Sequence, residues 1–326
     1  MHLHTMLLSQ IAASTLGFLA FRHLEPRFKA IGLTGIDVHK NWDHVAIEFG
    51  GIPLLLTLVA CYAAAAIAAS CMSRFYLAIM LVAVLSFTLG MLDDVAGISG
   101  PVKGVVFTLP SVGLFTAELN PYPRLPIVGM TRLTIFYFII IPIYVSVVAN
   151  SANMIDVMNG VLPSTCIIML LGGILLAYFK GSTKPILLSV PMLFTLAVYL
   201  YYNWFPAKYF AGNCGSHMIG AVMAGIAILS GLEFYLVMAM LPYVLNSFSY
   251  LTSVKGFLER TRLEARPVIV RSGLIYANKD PRAPITLVGL LTSTSPKDEK
   301  LLIRQIVLLS VFSTVLSIAT EVLLGA

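Results

Sequence analysis

Charge is scarce in this chain. Only 11% of its 326 residues are Asp, Glu, Lys or Arg, against about 25% in soluble domains. Mean hydropathy is +0.90 and 58% of the residues are hydrophobic, which excludes an ordinary water-facing domain. Cysteine is also sparse. Cys61, Cys71, Cys166 and Cys214 include no pair with metal-ligand spacing, which excludes a zinc ribbon or a disulfide scaffold and leaves buried apolar thiols. No internal repeat or low-complexity tract is present.

Apolar runs are what the sequence does contain. About ten approach the roughly 20 residues that cross a bilayer as helix: 3–21, 51–70, 74–92, 103–118, 133–150, 161–179, 184–202, 215–232, 233–251 and 302–325. The first run has no basic segment before it and is followed by further spans, so it reads as a span and not as a cleaved leader. The expected fold is an all-α polytopic membrane protein of about ten transmembrane helices. A single domain covers 1–326, including an Arg-rich loop at 252–301.

Lys and Arg set the orientation. The loops 22–50, 93–102, 151–160, 203–214 and 252–301, with their edges, hold 16 of the 21 basic residues. Arg74, Arg124, Arg132, Lys180 and Lys184 remain for the other side. The rule puts the first set in the cytoplasm and both termini outside. Acidic residues follow the same split, with only Glu118, Glu233 and Glu321 on the other side. No charge lies clearly at mid-span, where ion-coupled transporters keep theirs. The net charge of +6 sits beside apolar spans, which suits lipid headgroups or phosphate substrates and not nucleic acid.

Five constellations in these loops have chemical potential. Asp93-Asp94 ends a long apolar run, where adjacent acids repel unless a cation or base is near. They read as a metal or general-base site, or as a solvated helix end. Lys103, ten residues on, suits a phosphate or a positive-inside anchor. Asn150, Asn153 and Asp156 recur at helical spacing before Asn159-Gly160. They stack oxygens of the kind hard cations prefer, or cap the helix. Asn203-Trp-Phe-Pro leads through Phe210 to Gly212-Asn213-Cys214. That puts an aromatic beside a helix start whose N–H groups favour anions, or forms an interfacial aromatic belt. Arg260, Arg262, Arg266 and Arg271 suit bidentate phosphate binding, or simply enrich an inside loop. In the same loop, Pro267 to Tyr276 alternates enough for a short β-hairpin. Finally, Gly35-Ile-Asp37-Val-His39-Lys40 runs on to Glu48 with mixed charges.

In order, these segments resemble the polyprenyl-phosphate N-acetylhexosamine-1-phosphate transferase family. They look most like its eukaryotic and archaeal branch, the UDP-GlcNAc:dolichyl-phosphate GlcNAc-1-phosphate transferases. Asp93-Asp94-Val with Lys103 is similar to the family's acidic pair and phosphate-side lysine. Asn150 to Gly160 looks like its N-x-x-N…N-G segment, and Asn203-Trp-Phe-Pro…Phe210-x-Gly212 like N-W-[YF]-P…F-x-G-D. Arg260-Thr-Arg262 sits where the branch has R-H-R.

The resemblance implies Mg²⁺ (or Mn²⁺) as cofactor and ten spans with cytoplasmic catalytic loops. It implies UDP-GlcNAc and a polyprenyl or dolichyl phosphate as partners, and often a homodimer in the bilayer. The reaction would open lipid-linked oligosaccharide assembly for protein N-glycosylation, or serve a surface polymer with another UDP-N-acetylhexosamine. Carried over residue by residue, Asn153 binds the metal, Asn159 the uridine, and Phe210 stacks on uracil. Lys103, Arg260 and Arg262 hold phosphates, with Arg266 beside them in the same loop. Asp93 and Asp94 lie by the metal and the acceptor, and Glu48 matches an acidic donor-site position.

Two departures stand out. The family's metal-binding Asp is Asn213 here, which offers an oxygen without a charge. Asp156, at a position where bacterial relatives carry Asp, is the expected compensation, so that Asn153, Asn213 and one carboxylate, Asp156 or Asp93, hold the metal. None of the six His residues lies in 252–301, unlike the His-rich motif of the muramoyl-pentapeptide enzymes. The readings from other classes are a lipid-linked sugar transporter and an inactive scaffold.

Overall fold

A chain segment inside a bilayer has to satisfy its own backbone hydrogen bonds, so long apolar runs become helix. The computed structural model describes residues 2–40, 42–120, 122–125, 129–131, 134–254, 256 and 263–324. In chain order its helices are α1 (His2–Ala30), α2 (Gly51–Ala68), α3 (Ser73–Ala96), α4 (Gly100–Val106), α5 (Thr134–Ile155) and α6 (Val161–Phe179). They continue with α7 (Thr183–Asn203), α8 (Gly212–Ser230), α9 (Glu233–Ala239), α10 (Leu241–Ser253), α11 (Leu287–Leu291) and α12 (Glu299–Leu323). Eight of the described helices are long and apolar enough to cross a membrane, as in a polytopic membrane protein.

Two of the ten expected spans take another form. Residues 103–118 do not make one helix: α4 gives way to a 3-10 helix over Leu109–Thr116. Pro110 lies in the first turn of that 3-10 helix, and a proline lacks the N–H that would continue α4. The expected ninth span is α9 plus α10, bent by 66°. Pro242 opens α10, and its ring excludes an unbroken helix through Met240.

Helix α8 is the centre of the bundle and packs against α2, α3, α5 and α7. Its sequence is rich in Gly, Ala and Ser, which lets neighbouring backbones approach closely. Every residue from Cys214 to Leu229 is buried. Gly90 of α3 shows how close the approach is: a Cβ there would lie 2.5 Å from Cys214 Cα. Gly51 at the start of α2 is equally tight, with a Cβ 2.7 Å from Gly215 N.

Three two-stranded hairpins decorate the ends. β1 (Thr34–Ile36) pairs with β2 (Val45–Ile47), β3 (Arg124–Leu125) with β4 (Gly129–Met130), and β5 (Val268–Arg271) with β6 (Leu274–Ala277). The β5–β6 turn places Ser272 and Gly273 at φ 50° and 77°. Positive φ at both positions is what a two-residue type I′ hairpin requires. The loop after β2 docks on the segment before α8: Phe210 N–H donates to Ile47 O at 2.7 Å and Gly50 N–H to Phe210 O at 2.9 Å. At the opposite end of the bundle, Lys180 pairs with Glu321 at 2.7 Å and Tyr137 OH donates to the Glu233 carboxylate.

Candidate active site

Four loops converge where α3 and α5 end and α8 begins. Asp94 fixes this corner. Its Oδ1 accepts from Asn213 N–H and its Oδ2 from Cys214 N–H, both at 2.9 Å. A helix start leaves such N–H groups without intrahelical partners, and here a carboxylate from another helix caps them. Gly212 enters the turn at φ 69°, a conformation that favours glycine. The expectation of a phosphate on these N–H groups is thereby corrected, because Asp94 already occupies them. Asp94 holds α8 in place, with one N–H of that turn on each of its oxygens.

Asp93 points to the other side. Its Oδ1 accepts from Ile98 N–H at 2.8 Å, and its Oδ2 lies 2.7 Å from Lys103 Nζ. The pair is asymmetric: the Asp93 side chain is 2% exposed and that of Lys103 is 23%. The lysine therefore presents a cation at the edge of the site while the acid anchors it from below.

The amide cluster forms across α5 and α8. Asn153 Nδ2 donates to Asn213 Oδ1 at 2.7 Å and to Ser216 Oγ at 2.8 Å. With its nitrogen so engaged, Asn153 Oδ1 accepts no hydrogen bond from any described residue. Asp156, just past α5, likewise has no hydrogen-bonding or ionic partner for its carboxylate among the described residues. Burial pushes its pKa up to about 7. Asn150 does not join the cluster; its Nδ2 turns back to Ser146 O at 2.8 Å. His217, one turn after Asn213, bonds through Nδ1 to Asn213 O at 2.9 Å and stacks on Phe107 at 3.9 Å between centroids.

Asn159 is buried in a separate network. Its Nδ2 donates to Asp37 Oδ2 at 3.0 Å. Lys40 Nζ lies 2.8 Å from the same oxygen and also pairs with Glu299 at the start of α12. All three charged side chains are at most 4% exposed. Burial pushes the Asp37 carboxyl up, but hydrogen bonds from Lys40 and Asn159 and the Lys40 charge outweigh it, so its pKa falls below 3.8. Asp37, His39 and Glu299 bring ligand atoms within 4.8 Å of one another, a spacing a metal can use. The Lys40 ammonium lies between the two carboxylates and already supplies a cation there.

Asn203 joins the two halves. Its Oδ1 accepts from Gly160 N–H at 2.9 Å, and its Nδ2 donates to Tyr209 O at 2.7 Å. Asn159 and Phe210 are thus each one residue from a shared buried amide. Phe210 is half-buried, Glu48 exposed just before α2, and Arg266 exposed before β5. Arg260 and Arg262 lie outside the described residues. Glu299 is the site-builder that sequence reasoning passed over, and Asp37, Lys40 and Asn203 lay in segments it singled out without giving them a role. The i, i+3 spacing of Asp37 and Lys40 was a usable signal; the partnership with Glu299, 259 residues away, was not.

Residues 76–231 match the glycosyl transferase family 4 pattern. The chain spans a little over half the length of the first curated relative it matches, and its likeness is to polyprenyl-phosphate sugar-1-phosphate transferases of two kinds. A Saccharolobus solfataricus protein with the provisional name UDP-N-acetylglucosamine–dolichyl-phosphate N-acetylglucosaminephosphotransferase is 32% identical over 184 residues, 55% of this chain and 57% of that relative. A Sulfolobus acidocaldarius protein with the same provisional name is 27% identical over 249 residues, 74% of this chain and 76% of the relative. A phospho-N-acetylmuramoyl-pentapeptide-transferase of Streptococcus mutans is 29% identical over 199 residues, 56% of this chain and 57% of the relative. The matched residues 76–231 include the acidic pair, the amide cluster and Asn159. Asp37, Lys40 and Glu299 fall outside residues 76–231.

Proposed function

We propose that this protein transfers GlcNAc-1-phosphate from UDP-GlcNAc to a polyprenyl phosphate of the dolichyl type, releasing UMP, at the cytoplasmic face of a membrane. The observation that carries the reading is the meeting of Asn153, Asn213, the Asp93–Lys103 pair and the Asn159 network at one end of an apolar helix bundle. That level joins a water-soluble donor to a lipid headgroup.

In this reaction an acceptor phosphate oxygen bonds to the β-phosphorus of the sugar nucleotide. The bond from that phosphorus to the oxygen bridging the α-phosphate breaks, and the electron pair leaves on UMP. The acceptor is already an anion, so the site has to orient it and offset its charge more than deprotonate it. Lys103, held by Asp93, offers one cation to the phosphates, with Arg260, Arg262 and Arg266 supplying others. Phe210 stacks on the base and Asn159 reads its edge. Glu48 contributes an acidic group on the donor side.

The residues present fit a hard divalent cation such as Mg²⁺. Asn153 Oδ1 and the Asp156 carboxylate are oxygen donors without partners among the described residues, and Asn213 Oδ1 lies beside Asn153. A bound Mg²⁺ would neutralise charge on the pyrophosphate. Asn213 weakens the site by one charge, and Asp156 restores it.

The GlcNAc reading is favoured over a muramoyl-pentapeptide by the absence of any His from 252–301. The test uses purified protein, radiolabelled UDP-GlcNAc, a polyprenyl phosphate and Mg²⁺. UMP release with formation of a labelled diphospholipid is expected. No UMP from any UDP-sugar would sink the enzyme reading and leave a scaffold.

A further inference from the structure

Asn159 is a side chain with two faces, one donating and one accepting, and nothing intrinsic to asparagine decides which faces a ligand. Here the surroundings decide. Asp37 Oδ2 receives Asn159 Nδ2 at 3.0 Å. An ionised carboxylate only accepts, so the amide nitrogen has to face it and the amide oxygen is turned the other way. Lys40, 2.8 Å from that same Oδ2 and paired on its far side with Glu299, keeps Asp37 ionised and immobile. The ring of Phe205 covers Lys40 Nζ at 4.2 Å, and the ion pairs are shut away from water. Asn159 Oδ1 accepts no hydrogen bond from any described residue.

We infer that Asp37, backed by Lys40 and Glu299, is a positioning residue that locks Asn159 with its oxygen outward and so makes the nucleotide site select uracil over cytosine. The reasoning rests on the proposed function in one respect, that Asn159 meets the base. Uracil presents N3–H, a donor, between two carbonyls. Cytosine presents bare N3, an acceptor. A locked Oδ1 accepts from the first and repels the second. An unlocked amide rotates to suit either. Sites built around one hydrogen bond reject a ligand that cannot make it, because a buried polar group is left unpaired. Asp37 thus acts through Asn159 without touching the substrate.

The test measures binding of UMP and CMP to the purified full-length protein by calorimetry, alongside the transfer assay. The wild type is expected to prefer UMP by about tenfold or more. Asp37→Ala removes the acceptor that holds Asn159 Nδ2, so the lock is lost and the preference is expected to fall towards one. Asp37→Glu keeps the carboxylate and should restore most of it. A purely structural role would weaken both nucleotides equally and leave the ratio unchanged, and that result overturns the inference. So does a wild type that binds UMP no better than CMP, or binds neither, which is readable even if Asp37→Ala does not fold. A wild type that prefers UMP yet transfers no sugar phosphate upholds the lock and rejects the enzyme reading, so the two failures are distinct.

Discussion

Asp94 and Asn213 sit on different helices, yet the Asp94 carboxylate accepts the Asn213 backbone N–H at 2.9 Å and the next N–H, of Cys214, at the same distance. One half of the acidic pair is therefore a cap for the central helix. Its partner Asp93 holds Lys103 instead. Two neighbouring acids thus escape mutual repulsion by facing different cationic or donor partners.

Removing the cap has a defined consequence. Asp94→Ala leaves two helix-start N–H groups without acceptors, which costs about 1–2 kcal/mol. A lower unfolding temperature in detergent is expected, together with loss of UMP release, because Asn213 moves with the start of α8. An unchanged unfolding temperature would contradict the capping role.

Asn213→Asp adds a charge without changing shape, and the new carboxylate can still accept from Asn153 Nδ2, now 2.7 Å away from the amide oxygen. Half-maximal UMP release is expected at several-fold less Mg²⁺ than in the wild type. A metal titration that does not shift would remove Asn213 from the metal site.

Asp156→Ala tests the compensation. With Asn213 neutral, Asp156 is the one carboxylate in the cluster without a protein partner among the described residues. Its loss is expected to raise the Mg²⁺ requirement by roughly 10-fold or more. Full metal-dependent activity in that variant would end the compensation idea.

The pH dependence of the Asp37 network follows from its lowered pKa. A carboxyl whose folded pKa is depressed contributes stability that is fully present above its unfolded pKa and lost as pH falls through the folded value. The stability gap between wild type and Asp37→Asn should therefore be constant from pH 5 to 7 and shrink only below about 3.8. Lys40, His39 and Glu299 face the same carboxylate. A gap that already collapses near pH 6 would contradict Asp37 as the group in control. Unfolding temperatures across pH provide the readout.

Gly90→Ala places a Cβ 2.5 Å from Cys214 Cα. Backbone is met, so no side chain can swing aside, and overpacking of this kind costs about 1–3 kcal/mol or more. Low yield of folded protein is expected on size-exclusion chromatography. A well-folded, active variant would show that α3 and α8 can separate at this crossing.

The helical architecture was legible because its cause is local. Runs such as 161–179 and 184–202 are apolar throughout, and a bilayer leaves them one backbone form. The broken segments were less legible, since Pro110 and Pro242 sit inside runs whose hydropathy alone looks continuous. The acidic pair, Asn153, Asn159 and Asn213 stood out as polar groups at the margins of apolar runs. Their partnerships did not. Asp94 and Asn213 are 119 residues apart, and Asn159 and Asp37 are 122 apart. No pattern of spacing encodes such contacts.

What the sequence by itself determined is the solvent and the chemistry available: a chain too apolar for water, with most of its acidic and basic residues in one set of loops beside Asn153, Asn159 and Asn213. That follows from transfer free energy, which each residue carries with it. What only the tertiary structure decided is the division of labour among those groups. Packing of α3 against α8 made Asp94 a cap and left Asp93 to hold a lysine. Convergence of the first loop with the start of α12 buried Lys40 between two carboxylates, and that burial fixes which face of Asn159 is free. Hydrogen bonds act over about 3 Å, and only the fold brings residues so distant in the chain within that reach.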